Sequence, residues 1–295
     1  MTYRMISKAI VSAVILLLMP AGMAAEQHAD SCCVKADDGV KGNETRCGMS
    51  YDDAKIITNA RMIAVGATEI LDTYISPEKY RGTELRYLSH TTRERSGRAW
   101  THQLVHQGYL SYAENRSAEG SEMAGMYMFS YGMHRRWAMA DGRLTLAAGA
   151  TADVNAGFLY NTRNGNNPAQ ARLAVNLSPS AMASYRFKAF SRPVTVRYEM
   201  AVPLVGVMFS PNFGQSYYEI FSKGDYDHNI VPTTVFNAPS LRHMLTLDFK
   251  VGKTTLRLGY LGDWQQAEVN NLKQHTYSNM FVIGVVKRFR MVKTD

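Results

Sequence analysis

From residue 143 to residue 158 the chain alternates without a break. Leu144, Leu146, Ala148, Ala150, Ala152, Val154, Ala156 and Phe158 are apolar. Arg143, Thr145, Thr151, Asp153 and Asn155 stand between them, with only Ala and Gly besides. A period of two puts alternate side chains on opposite faces of a β-strand. Strands of globular proteins run to about 5–6 residues. A tilted transmembrane strand needs about 9–11 residues for the hydrocarbon and projects beyond it. The stretch therefore reads as one stave of a transmembrane β-barrel.

Nine further stretches repeat the pattern, over 62–74, 80–95, 98–113, 122–138, 171–188, 193–208, 241–251, 254–267 and 273–289. In 193–208, Val194, Val196, Tyr198, Met200, Val202 and Leu204 share one face, with Arg197 and Glu199 opposite. The connections supply an independent sign. Bacterial single-chain barrels have an even strand count, short periplasmic turns and longer outer loops. The second, fourth, sixth and eighth connections (Ser96-Gly97, 139–142, 189–192 and Gly252-Lys253) are short. Those at 75–79, 114–121, 161–170, 209–240 and 268–272 are mostly longer. A soluble β-sandwich has no reason to keep that rhythm. The expectation is an all-β fold: an antiparallel up-and-down transmembrane β-barrel of ten strands over residues 61–289.

The longest connection, 209–240, holds Phe213, Tyr217, Tyr218 and Phe221, with Asp225 and Asp227. Loops of this length are functional or disordered, and the aromatic content argues against disorder. Such a loop can plug the mouth, cap it, or take a ligand from outside. A hairpin from 215–222 to 229–237, turning at Lys223-Gly224-Asp225, would bring the wall to twelve strands. Asp225 and Asp227 fall well short of the roughly 6–8 oxygens that calcium takes. No metal or cofactor is expected.

Ahead of the barrel, Arg4 and Lys8, an apolar run over 9–19 and small residues up to Ala25 read as a cleaved signal peptide, 1–25. No later stretch offers about 20 continuous apolar residues, which excludes a helical membrane protein. Residues 26–60 read as a periplasmic arm, with a short helix over 51–60 capped by Ser50. Residues 290–295 read as a tail. Cys32, Cys33 and Cys47 all fall in the arm. A disulfide from Cys47 to either Cys32 or Cys33 would leave one thiol over.

Losing Arg4 and Lys8 takes the formal charge from +8 to +6. For an exported chain that basicity suits lipid headgroups better than nucleic acid. Outer-membrane lipid is the expected partner, and the 17 Tyr suit aromatic girdles. Trp100 and Trp137 fall near periplasmic strand ends, and Trp264 near an outer one.

The parity opposite the apolar one is unusually charged: Glu122, Asp153, Arg172, Arg186, Arg197, Glu199, Arg242, Asp248, Arg257 and Asp263. A barrel of about eight strands is filled by its own side chains, and ten strands widen it little. Unpaired buried charges are costly. These groups therefore either pair and fill the lumen, or line a narrow polar channel. Arg172, Arg186, Arg197 and Arg257 would be its anion-favouring filter. The expected role is a structural or interaction barrel, or such a channel, with any extracellular ligand unknown.

Three motifs carry a family resemblance: LDTYISP at 71–77, GQSYYEIF at 214–221 and FVIGVVKRF at 281–289. They resemble an uncharacterised family of Gram-negative outer-membrane proteins, a domain of unknown function, over roughly residues 60–289. The resemblance implies the outer membrane and a barrel, and brings no activity, ligand or catalytic residue with it. The last motif also resembles the closing strand read by the barrel-insertion machinery, although residues 290–295 follow it.

Two alternatives complete the expectations. An outer-leaflet lipid hydrolase needs a Ser and a His within about 2.6–3.2 Å. Ser240 with His243, and Ser278 with His275, are the pairs near outer strand ends. Neither forms a Gly-x-Ser-x-Gly elbow. An adhesion scaffold would instead use the 209–240 loop.

Overall fold

The computed structural model describes residues 55–165, 167–189 and 192–291. The expected signal peptide, the three cysteines and most of the expected arm lie outside them. Twelve strands run through the described residues. They are β1 (Lys55–Asp72), β2 (Ser76–Arg95), β3 (Trp100–Glu114), β4 (Ser121–Met139), β5 (Leu144–Asn161) and β6 (Ala169–Ala189). After them come β7 (Arg192–Ala201), β8 (Val205–Phe209), β9 (Ile230–Thr234), β10 (Leu241–Val251), β11 (Thr254–Val269) and β12 (Leu272–Met291). One short helix, α1 (Tyr217–Phe221), lies between β8 and β9.

Ten staves close the barrel. β1 to β7 follow one another, β10, β11 and β12 continue, and β12 pairs with β1 from Lys55↔Met291 to Asp72↔Gln274. Every pairing is antiparallel. The registers carry a walk around the wall back to β1 about 12 residues further on, a stagger that tilts the strands by about 40°. Along each stave one parity is buried and the other exposed. On β5, Val154 and Phe158 are exposed while Thr151, Asp153 and Asn161 are buried. At the outer end of β11 and β12 the turn needs only Asn270 and Asn271, with φ of 51° and 58°. That is the left-handed pair that a two-residue hairpin requires.

The structure corrects the sequence reading at three places. The described chain is already in the wall at Lys55, paired on both sides with Met291 and Arg95. Residues 55–60 are thus strand and not the end of a capped helix, and the expected tail begins inside β12. Neighbours on both edges outweigh a local capping signal.

The second correction concerns the stave expected over 193–208. β7 stops at Ala201, and β8 resumes on the same neighbour β6 with its parity reversed. Leu204 and Val205, adjacent in sequence, are both 48% exposed. Two adjacent exposed residues mark one extra residue in the strand, a β-bulge, in which Leu204 and Val205 both face Leu177 just after Pro203.

The third concerns the long loop. Its hairpin is β8 with β9, from Val205↔Thr234 to Phe209↔Ile230. The stretch 215–222, expected as a strand, contains α1. Ser216 Oγ accepts from the Glu219 N–H at 3.3 Å, and the Glu219 carboxylate accepts from the Ser216 N–H at 2.7 Å. This reciprocal capping box starts the helix. β8 and β9 lengthen two staves outward, so the closed wall keeps ten.

Candidate functional site

The inward face is packed in blocks. Met62 of β1, Leu88 of β2, Met244 of β10, Leu261 of β11 and Met280 of β12 form a buried apolar cluster with their small neighbours. Ile70, Tyr80, Tyr109, Ala124 and Leu159 form a second one nearer the outer rim, and Ile75 of the β1–β2 turn packs with them. Apolar residues thus sit on the inward parity as well as the outward one.

Charged groups join the blocks. Arg172 of β6 donates to Asp72 of β1 at 2.8 Å. Those two staves are five apart in a wall of ten, so the pair spans the lumen. Arg86 donates to Glu84 at 2.7 Å and to Asp263 of β11, with its guanidinium 4.6 Å from the centre of the Tyr109 ring. Glu84 also accepts from Ser278 at 2.6 Å.

Nearer the end that carries the short β2–β3 and β4–β5 turns, Arg197 donates to Glu199, which also accepts from Gln103 of β3 at 3.2 Å. Arg257 grips Asp248 through two bonds of 2.6 and 2.7 Å, and Arg136 donates to Glu94 at 2.5 Å. Glu122 accepts from Asn161 at 3.0 Å. Forked, charge-assisted bonds of this kind hold their geometry well.

Three of the four arginines expected to form a filter are therefore tied to carboxylates: Arg172, Arg197 and Arg257. Arg186 stands exposed near the C-terminal end of β6. The four are not brought together as a ring. Asp153 and Arg242 face a cavity of about 120 Å³ in the lumen, lined from β4 and β5 round to β11 and β12. A smaller one, of about 50 Å³, lies between His90, Gln103, His134 and Glu199.

The 209–240 connection folds over the rim. Tyr74 of the β1–β2 turn donates its hydroxyl to the Gln215 carbonyl at 2.8 Å. The Ala171 N–H donates to the Tyr217 hydroxyl at 2.7 Å. Asn270 reaches from the β11–β12 turn to the carbonyls of Ser210 and His228, at 3.2 and 2.9 Å. Burial raises the Tyr217 phenol, and it pushes the Tyr74 phenol up to about 12. Inside the loop, Ile220 is fully buried, whereas Phe213, Tyr218 and Phe221 are exposed. Asp227 meets His228 Nδ1 at 2.7 Å, and the Asp225 N–H donates to the Glu219 carbonyl at 3.1 Å.

Neither Ser–His pair is assembled. Ser278 is buried inside the barrel with Thr68 and Glu84, while His275 stacks on Tyr277 on the opposite parity. Ser240 accepts from the Gln266 N–H at 3.2 Å and donates to the Gln266 carbonyl at 3.4 Å. His243 lies among the outward rings of Tyr198, Tyr260 and Trp264.

The chain belongs to the family described as Protein of unknown function (DUF3316), whose model matches residues 14–295. No curated protein matches it. Solved barrels resemble it distantly. The transport unit of the autotransporter AIDA-I from Escherichia coli is 6% identical, with 84% of this chain and 92% of that one covered and a TM-score of 0.45. The translocator domain of the autotransporter NalP from Neisseria meningitidis is 12% identical, with coverage of 82% and 91% and a TM-score of 0.39. The outer membrane protease OmpT from Escherichia coli is 7% identical, with coverage of 81% and 98% and the same score of 0.39.

All ten charged residues expected inside lie on the inward parity of their staves. Asp72, Glu84, Arg86 and Glu94 belong with them and were missed. Glu84 and Arg86 could have been found, since they alternate with Leu85 and Tyr87. Trp100, Trp137 and Trp264 are all exposed on the outside.

Proposed function

We propose that this protein is an outer-membrane β-barrel with a closed lumen, a structural or interaction barrel rather than an open pore. The pair Asp72–Arg172 carries the reading, because it lies across the path a solute would take. The apolar clusters on the inward face support it, since ions and sugars pass poorly through an apolar section.

The outside supports the membrane. Leu110, Tyr127, Phe158, Leu173, Leu245 and Phe281 are exposed, each on a different stave. Such a band around a whole barrel is far larger than the apolar patches that soluble monomers expose, and it matches the hydrocarbon. Trp100 and Trp137 at one end, and Trp264 towards the other, suit the two interfaces. Export through residues 1–25 and insertion through β12 complete the reading for a Gram-negative cell. Contacts outside would be made by the cap, where Phe213, Tyr218 and Phe221 are exposed.

The test is refolding into lipid vesicles loaded with a small sugar. The folded barrel, recognised by faster migration before heating, is expected to insert and to retain the sugar. Rapid efflux would overturn the closed lumen. A monomer soluble without lipid or detergent would overturn the membrane assignment.

A further inference from the structure

The wall has a break. The last pair between β7 and β10 is Ala201↔Arg242, and the first between β8 and β9 is Val205↔Thr234. Between them, residues 202–204 keep their bonds to β6. The Val202 N–H donates to the Pro179 carbonyl at 3.1 Å, and the Leu204 N–H to the Leu177 carbonyl at 3.0 Å. Towards residues 235–240 the ladder lapses until the Val235 N–H meets the Leu204 carbonyl at 3.1 Å. Pro203 stands on one edge and Pro239 on the other. Neither has an N–H to give, so the sequence itself keeps the ladder from closing there.

Behind the break lies the cavity of about 120 Å³, lined on one side by both its edges, Pro203, Leu204 and Val205 opposite Ala238 and Ser240. Met126, Met128 and Met208 supply apolar lining. At its polar end the bonding is incomplete. Arg242 Nη2 stands 3.8 Å from Asp153, beyond hydrogen-bond reach, and Arg242 Nη1 donates to the sulfur of Met128 at 2.6 Å. Asp153 is 3% exposed; one of its oxygens takes Ser178 Oγ at 2.5 Å, and the other, Oδ1, has no hydrogen-bond partner. On the opposite wall Gln274 lines the cavity with its amide against the Met208 sulfur at 3.7 Å.

A buried carboxylate oxygen without a partner calls for an explanation. Here a guanidinium and a carboxylate face one space and fall short of bonding each other. We propose that this cavity binds a small amphipathic zwitterion, of the class of an apolar α-amino acid, entering through the break in the wall. The ligand carboxylate pairs with Arg242, and its ammonium donates to Asp153 Oδ1. Its apolar body lies against the three methionines, whose flexible thioethers adapt to shape. The volume suits a branched alkyl chain, given that a dry cavity of about 150 Å³ takes benzene. The site does not depend on whether the lumen conducts.

The test is calorimetric titration of the refolded full chain in detergent with L-leucine, 4-methylpentanoate and isoamylamine. L-leucine is expected to bind at least about tenfold more tightly than either analogue, because each leaves one buried charge unanswered. Asp153→Asn is expected to weaken leucine and leave 4-methylpentanoate unchanged. Ala238→Phe, which fills the cavity from the edge of the break, is expected to abolish binding while heat-modifiable migration stays normal. No heat with leucine at millimolar concentration would overturn the proposal. So would equal binding of 4-methylpentanoate, or unchanged leucine binding in folded Ala238→Phe.

Discussion

Asp72 and Arg172 meet at 2.8 Å from opposite sides of the barrel, although 100 positions separate them in the chain. Asp72 also accepts from the Tyr74 N–H at 3.0 Å, so one carboxylate fixes both the lumen and the rim. Its side chain is 1% exposed. Arg172→Ala is expected to strand that charge and to cost about 3–5 kcal/mol, the usual penalty for removing half of a buried pair. Arg172→Met combined with Asp72→Leu is expected to cost much less. Urea midpoints of the folded band, followed by its migration before heating, measure both.

The cap is expected to loosen in strong base. The Tyr74 phenol is held up near 12 by burial first, then by Tyr217, Asp72 and Glu219 nearby. A folded value above the ordinary 10 means the contribution is whole below pH 10 and is lost as pH rises through about 12. Near-ultraviolet circular dichroism of the ring group Phe209, Tyr217 and Phe221 reports on the cap. Wild type is expected to hold its signal to pH 10. Tyr74→Phe, lacking the donor to Gln215, is expected to show a weakened signal already at neutral pH.

Ser240 stitches the wall beside the break. Its hydroxyl serves both the N–H and the carbonyl of Gln266, where backbone pairing between β10 and β11 has stopped at Leu241↔Trp264. Ser240→Ala is expected to cost about 1 kcal/mol in unfolding free energy and to leave phospholipid hydrolysis at background. A hydrolytic activity that vanished with Ser240 would contradict the bridging role.

Much of this was legible as alternation. The stave at β5 could be read because each even residue from Leu144 to Phe158 is apolar. The short–long rhythm of the connections set the closure. Position 203 was harder: Val202 and Leu204 continue the period of β7, and only Pro203 hints that the parity reverses at β8. The helix at Tyr217–Phe221 was signalled by Ser216 and Glu219, but its aromatic residues read equally well as strand.

The interior was half legible. Polar residues opposite an apolar face declare themselves, so Arg197, Glu199, Arg257 and Asp263 could be assigned to the lumen. Met62, Leu88, Met244 and Met280 are inward but apolar, and alternation gives them no mark. Which carboxylate meets which arginine depends on the stagger between staves, and no single strand carries that. Hence Arg172 could be read as a filter residue before Asp72 was seen across from it.

The closed lumen is tested most directly by single-channel conductance of the refolded barrel in a planar bilayer, after a heat-dependent gel shift has established folding. The wild-type protein is expected to insert and stay silent, with no reproducible steps, because Asp72–Arg172 and the clusters around Met62 and Tyr109 fill the path. Reproducible steps from the folded wild-type barrel would contradict the closed lumen outright.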